Sequence, residues 1–308
     1  MYAAARIGRS LLAAVQDLLY AVGFGLVTAS ILALSTVAIS LQFSVTSIPN
    51  FAQGDLMTLG AYAAFTTSLM VQNALLSAVA AIVVSGVVSW GMYRFLLQPF
   101  IKRGTRNVTL LVVTLGVAII LQNGIQAIFG STFVKYPFPV SPPENIGPFI
   151  WTGTDILIVM AAVVSLTFVH VVLRYTKFGK SQRAVADNAE LARVSGINSG
   201  RVIEITWLWA GAMAGLSGFV LAASLGGLTP ALGFGFLLVI FAAAVVGGIG
   251  NPYGSMLGAL LIGLGMEISA IYIPADYKQT FAFVALIVTL LFRPNGLIAS
   301  RSRVIQAA

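Results

Sequence analysis

The chain has no cysteine and a single histidine. The first absence excludes a disulfide framework, thiolate metal sites and cysteine nucleophiles, and it leaves the compartment open. The one histidine, His170, stands near the end of an apolar run with no second histidine nearby for a metal pair, and reads as a helix-end residue at a membrane interface. Charge is scarce as well. Only 8% of residues are charged, where a soluble domain carries about a quarter. The nine acidic residues are scattered. No Walker A pattern, nucleophile elbow or zinc signature is present, so any energy from ATP must come from another chain. The sequence therefore offers no catalytic residue, no metal site and no cofactor site. Glu267 is the only acid well inside an apolar run, and it stands isolated in the sequence, which is poor material for a proton relay or an ion-coupled pump.

What is present is hydrophobic: 58% of residues are apolar and the mean hydropathy is +0.97. At one span per ~20 apolar residues, the chain predicts eight or nine spans in an all-α polytopic bundle. Residues 1–308 form one transmembrane domain. A β-barrel needs alternating polarity, and these runs do not alternate. The net charge of +8 belongs to loops that hold the topology rather than to a nucleic-acid surface. Arg6 and Arg9 precede an apolar stretch from Leu11 to Val45 that is too long for a signal-peptide core. Residues 2–19 read as an interfacial lead-in, and 20–41 as the first span.

Orientation follows from lysine and arginine in short loops. Residues 98–107 carry Lys102, Arg103 and Arg106, just after Arg94. Residues 174–203 carry Arg174, Lys177, Lys180, Arg183, Arg193 and Arg201, and the tail adds Arg293, Arg301 and Arg303. These segments are expected in the cytoplasm, with the C-terminus. The nearly neutral stretches 130–154 and 274–279 are expected outside, and the side of the N-terminus stays open. The proline- and aromatic-rich segment 130–154 suits either an external partner or an interfacial cap.

Two places break the helical pattern, Ser47–Gly54 (S-I-P-N-F-A-Q-G) and Gly247–Gly254 (G-G-I-G-N-P-Y-G). Each precedes a helix rich in small residues, which suggests a weak repeat of residues 20–97 against 232–292. Paired breaks mark a translocation site in many transporters, and two ordinary Gly/Pro turns would read the same way. Between spans, Ser181–Ser195 predicts one short helix with Val185, Ala189 and Ala192 on one face and Gly196 ending it. Such a helix serves either as a docking element or as a connector lying on the membrane.

Four motifs in order carry a family resemblance. They are P-N-F-A-Q-G-D-x-M-x-x-G-A-Y from Pro49, T-L-G-V-A-I-I-L-Q-N from Thr114, R-Y-T-K-F-G-K-x-x-R-A-V-A-D-N-x-E-L-A-x-x-x-G-I-N from Arg174, and A-V-V-G-G-I-G-N-P-Y-G-S-M-L-G-A from Ala244. Together they resemble the permease subunits of branched-chain amino acid ABC importers, closer to the LivH type than to its paired LivM type. The resemblance implies inward movement of branched-chain or similar small amino acids by alternating access, in a bacterial inner membrane. It implies three kinds of partner besides the lipid bilayer: a LivM-type second permease, two cytoplasmic ATP-binding subunits and a periplasmic substrate-binding protein. It also implies a coupling helix to the ATPase comprising Arg183, Ala184, Asp187, Asn188, Glu190, Ala192 and Gly196. The translocation path it implies holds Asn50, Gln53, Gly54, Gln122, Asn123, Gly248, Gly250 and Glu267. Gln53, where the family often has histidine, Pro49 and the stretch Phe43–Ser47 depart from the pattern, and they bear on the substrate more than on the fold. A self-sufficient channel or secondary transporter is the alternative, with an intramembrane enzyme third.

Overall fold

Backbone buried in lipid finds no water, so it must bond to itself. The computed structural model of the chain meets that demand almost entirely with helices; it describes residues 2–136, 142–147 and 149–298. Helix α1 spans Tyr2–Thr46 without interruption, α2 Gln53–Met70 and α3 Ala74–Gly91. A π-helical turn, Met92–Leu97, carries α3 on into α4, Gln98–Lys102. Then come α5 (Asn107–Phe129), α6 (Gly153–Tyr175), α7 (Lys177–Asp187) and α8 (Ala189–Val194). The last four are α9 (Ser199–Leu225), α10 (Leu232–Gly247), α11 (Pro252–Ser269) and α12 (Lys278–Phe292). Polar residues mark the starts. The Asn73 side chain accepts from the first N–H groups of α3, Thr152 and Asp155 form a reciprocal cap on α6, and Asn251 caps α11 with Pro252 in its first turn.

Among the described residues, six helical stretches are long and apolar enough to cross a membrane, and the α10–α11 pair, bent by 119°, makes up to seven. The expected eight or nine spans are therefore too many. The apolar run at residues 56–71, which counts as one of the eight or nine by length alone, forms α2, whose polar first turn and small residues lower its hydropathy. α2 needs no lipid-compatible surface because most of it is buried inside the bundle.

The helices form two layers. In one, α1 packs between α11 and α9, and α9 packs on α3; in the other lie α12, α10, α2 and α5. Small residues set the spacing. A Cβ on Gly218 of α9 would stand 1.8 Å from the Met57 carbonyl of α2, and one on Gly263 of α11 would stand 2.5 Å from Ala29 of α1. α6 covers the outer side of the first layer: Trp209 of α9 meets Phe168 of α6, nine residues and half a helical turn away from Gly218.

The layers contain an internal repeat, paired differently from the sequence expectation. α1 ends at Thr46 and α9 at Leu225, and α2 starts at Gln53 and α10 at Leu232, so both pairs lie 179 residues apart. The same displacement joins Ser47 (φ 54°), the only non-glycine with positive φ among the described residues, to Gly226 (φ 68°). Contacts repeat too: Gly263 meets Ala29, and Gly86 of α3 meets the equivalent residue of α9, Leu208. The true partner of the 47–52 break is thus 226–231. The 248–251 bend joins α10 to α11, as 71–73 joins α2 to α3. α1 passes strand β3 (Phe149–Trp151) at Gly23, 23 residues before its end, and β3 pairs with β2 (Glu144–Ile146). α9 instead ends at strand β4 (Gly227–Leu228), which pairs with β1 (Val134–Lys135) of that same outer segment. The two repeats therefore run in opposite directions.

The basic segments share one face. Arg94 of the α3 extension pairs with Glu204 of α9. Val45 at the end of α1 packs with Val185 and Ala192 of α7 and α8. Leu297 and Ile298, after α12, donate backbone bonds to Val246 and Gly247. Arg301 and Arg303 lie outside the described residues.

Candidate functional site

The first break is held open by side chains. Asn50 is fully buried; its Nδ2 donates to Gln42 Oε1 at 3.0 Å, and its Oδ1 accepts the Ala52 N–H at 3.1 Å. The Phe51 N–H donates to Thr114 Oγ1, tying the break to α5. Gln53, next along, is buried with both amide atoms unpartnered. Gly54 lies against Gly233 of α10, whose N–H donates to Thr58 Oγ1 at 2.9 Å. Gly54 and Gly233 are equivalent in the two repeats, so the internal two-fold passes through their contact.

Asp55 follows, fully buried with both carboxylate oxygens unpartnered. Asp55, Leu59 and Tyr62 fall on one face of α2, at i, i+4 and i+7, and that face looks toward α5, where Tyr62 packs on Phe129. A lone acid inside a bundle is a functional candidate by default. Sequence reading passed over it because it sits at the polar margin of an apolar run, where helix starts commonly carry acids.

Gln122 is half-buried and Asn123 exposed; Asn123 Nδ2 donates to the Ile119 carbonyl. With Gln126, Ser131 and the second break at Thr229, Pro230 and Ala231, Gln122 lines a cleft of about 220 Å³. Of the expected path residues, Asn50, Gln53 and Gly54 gather at the first break and Gln122 lies beside the second, while Asn123 is exposed on α5 and does not line the cleft. Gly248 (φ 110°) and Gly250 (φ 91°) form the α10–α11 bend, where the Gly250 N–H donates to Ser40 Oγ. Glu267 is apart from these and is not isolated. It accepts from Thr28 Oγ1 at 2.8 Å and pairs with Lys278 Nζ at 3.0 Å.

The loop expected as one helix is two. Asn188 is extended (φ −157°) and its side chain caps the N–H groups of Glu190 and Leu191, which starts α8 afresh. Gly196 (φ 86°) closes it. Val185 and Ala192 turn inward, Ala184 packs partly against them, and Arg183 bonds the Leu173 carbonyl at the end of α6. Asp187, Asn188, Ala189 and Glu190 are exposed, as are Leu191 (65%) and Val194 (83%), apolar side chains on one face of α8. His170 lies beside Tyr253 of α11, with the hydroxyl 3.1 Å from Nδ1.

The model of the family described as "Branched-chain amino acid transport system / permease component" matches residues 21–290. The chain is 30% identical to the high-affinity branched-chain amino acid transport system permease protein LivH of Escherichia coli K12, over 89% of this chain and 93% of that one. It is 28% identical to the corresponding protein BraD of Pseudomonas aeruginosa, with the same coverage. Against the probable branched-chain amino acid transport permease protein LivH of Methanocaldococcus jannaschii it is 30% identical, over 88% of this chain and 90% of that one. No solved structure matches.

Proposed function

The chain belongs to the family of branched-chain amino acid transport system permease components, and we propose that it is the multi-pass membrane subunit of an ATP-driven importer of branched-chain or similar small amino acids. One observation carries the reading: two oppositely directed repeats, each broken at the same point, meet backbone to backbone at Gly54 and Gly233. A glycine contact lets two halves rock without side chains interlocking, and that motion would uncover the buried backbone and amides of the breaks to a solute. Alternating access follows from that motion.

The basic face is assigned to the cytoplasm of a bacterial inner membrane, with the C-terminus on the same side. α7 and α8 form the coupling element there. Their inner faces bind the bundle through Arg183, Ala184 and Ala192, leaving Asp187, Asn188, Glu190, Leu191 and Val194 to meet one of two ATP-binding subunits. The opposite face, with segment 130–154, receives a periplasmic substrate-binding protein. A second permease of LivM type completes the transporter. The solute passes Gln122 and Asn123 and the breaks at Asn50–Gly54 and 226–231, with Gly248 and Gly250 flexing the α10–α11 bend. Glu267, paired with Lys278, braces the outer end of α11.

The test is composition. The tagged chain, extracted gently from its native membrane, is expected to bring down two ATP-binding subunits and a second permease. Recovery of the chain alone would move the channel or secondary-transporter reading to the front.

A further inference from the structure

α6 and α11 both pack on α1, and they meet each other beside it at their basic ends, where the Tyr253 hydroxyl lies 3.1 Å from His170 Nδ1. Toward the membrane centre from that bridge, both helices turn apolar side chains outward. Val163, two turns before His170 on the same face of α6, is 58% exposed. Leu257 and Leu260, one and two turns after Tyr253 on the same face of α11, are 37% and 38% exposed. The two stripes form the walls of a groove whose floor is α1. On the other side of the bridge the surface is basic. Arg174 lies four residues past His170 on the same face and is exposed, as are Lys177 and Lys180 of α7. No carboxylate pairs with any of the three among the described residues, where the two ion pairs are Arg94–Glu204 and Lys278–Glu267.

We propose that this groove binds one anionic phospholipid, with its phosphate on Arg174 and the His170–Tyr253 bridge and an acyl chain between Val163 and Leu257. The bridge keeps a donor to spare. In a neutral imidazole–phenol pair, whichever group donates, one N–H or O–H is left for an acceptor. The guanidinium fork matches phosphate oxygens, and the two unpaired lysines attract an anionic surface. Depth agrees as well. The Tyr175 and Tyr253 rings stand edge-on to His170, with centroids 6.2 and 5.7 Å away, and tyrosines of this kind mark the headgroup level of a bilayer. The bound lipid ties the start of α11 to the end of α6, where Arg183 of α7 bonds the Leu173 carbonyl. The proposal asks only that the basic face lie at one surface of the bilayer, so it stands apart from what the chain transports.

The test uses the complete complex, purified from its own membranes and reconstituted in phosphatidylcholine vesicles. The vesicles carry a trace of phosphatidylglycerol or of phosphatidylcholine, each with a diazirine in one acyl chain. After irradiation, adducts are located by mass spectrometry. The phosphatidylglycerol probe is expected to label peptides covering 163–170 and 253–260 about fivefold more than the phosphatidylcholine probe, the weight of one cation at an anionic surface. Arg174→Gln with Tyr253→Phe is expected to bring the two probes level there, and Arg174→Lys to keep most of the preference. Should the double variant fail to assemble, Arg174→Gln alone, altered at an exposed side chain, is expected to lower the preference at least twofold. Equal labelling by the two probes in the parent overturns the proposal, and so does a preference that survives Arg174→Gln. Groove peptides left unlabelled by either probe overturn it too, because protein rather than lipid then covers the groove.

Discussion

Gly54 and Gly233 touch where the two halves of the molecule cross. A Cβ on Gly54 would lie 2.5 Å from the Gly233 carbonyl oxygen, and one on Gly233 would lie 1.8 Å from that of Gly54. Both obstacles are backbone, which cannot swing aside as a side chain can. Gly54→Ala and Gly233→Ala are each expected to destabilise the chain by about 1–3 kcal/mol, the usual cost of overpacking. Uptake should fall further than stability, because the crossing is also the pivot. Thermal unfolding in detergent and solute uptake in cells, measured side by side, check this; full uptake with an alanine at either position would remove the pivot.

Ser47 and Gly226 hold the same left-handed backbone in equivalent breaks, at φ 54° and 68°. Only the serine bears a Cβ penalty there. Ser47→Gly should stabilise by about 1 kcal/mol, and Gly226→Ala should destabilise by a similar amount. Midpoints of unfolding for the two variants, moving in opposite directions, are the expected result.

Asp55 is buried without a partner, and an unpaired acid in the bundle is a cost that function must justify. Asp55→Asn keeps the shape and removes the potential charge. The variant is expected to be at least as stable as the parent and to transport less well, the trade seen where a strained polar group serves activity. A variant less stable yet fully active would assign Asp55 to the fold instead.

The loop separates docking from anchoring. Leu191→Glu with Val194→Glu, both exposed, should leave folding intact and reduce recovery of ATP-binding subunits at least tenfold. Val185→Asp, buried against Val45 and Val202, should lower stability by several kcal/mol. Co-purification and thermal unfolding, run on both variants, distinguish the two roles.

Glu267 and Lys278 form a partly exposed pair, and such pairs are worth about 0–1 kcal/mol. Glu267→Gln is expected to leave uptake within twofold of the parent, whereas Asn50→Leu, which strips the Gln42 and Ala52 partners, should abolish most of it. Equal losses in both variants would return Glu267 to the solute path.

Much of this was legible in residue order. Pro49–Asn50 and Asn251–Pro252 announced their breaks, because proline cannot extend a helix; Asn251 caps the next helix, while Asn50 accepts the Ala52 N–H inside the break. The clustering of Lys102, Arg174 and their neighbours marked one face. What was hidden depends on three dimensions. α2 looked like one more span, since hydropathy cannot separate lipid contact from contact with α9 and α3. The inverted repeat left almost no trace in residue type: Ser47-Ile48-Pro49 answers to Gly226-Gly227-Leu228, and only the backbone angles and helix ends match. Glu267 seemed alone because its partner Lys278 returns across the turn after α11. Asn188 was read inside a helix, and its own side chain ends that helix by capping the next.

The most direct test of the central claim is uptake by the purified complex in liposomes with the binding protein outside and ATP sealed inside. Radiolabelled leucine, isoleucine and valine are supplied as the branched-chain set. The account predicts accumulation against a gradient that stops when ATP is replaced by a non-hydrolysable analogue, and no flux through this chain alone. Equal flux through the isolated chain, with or without ATP, would contradict it.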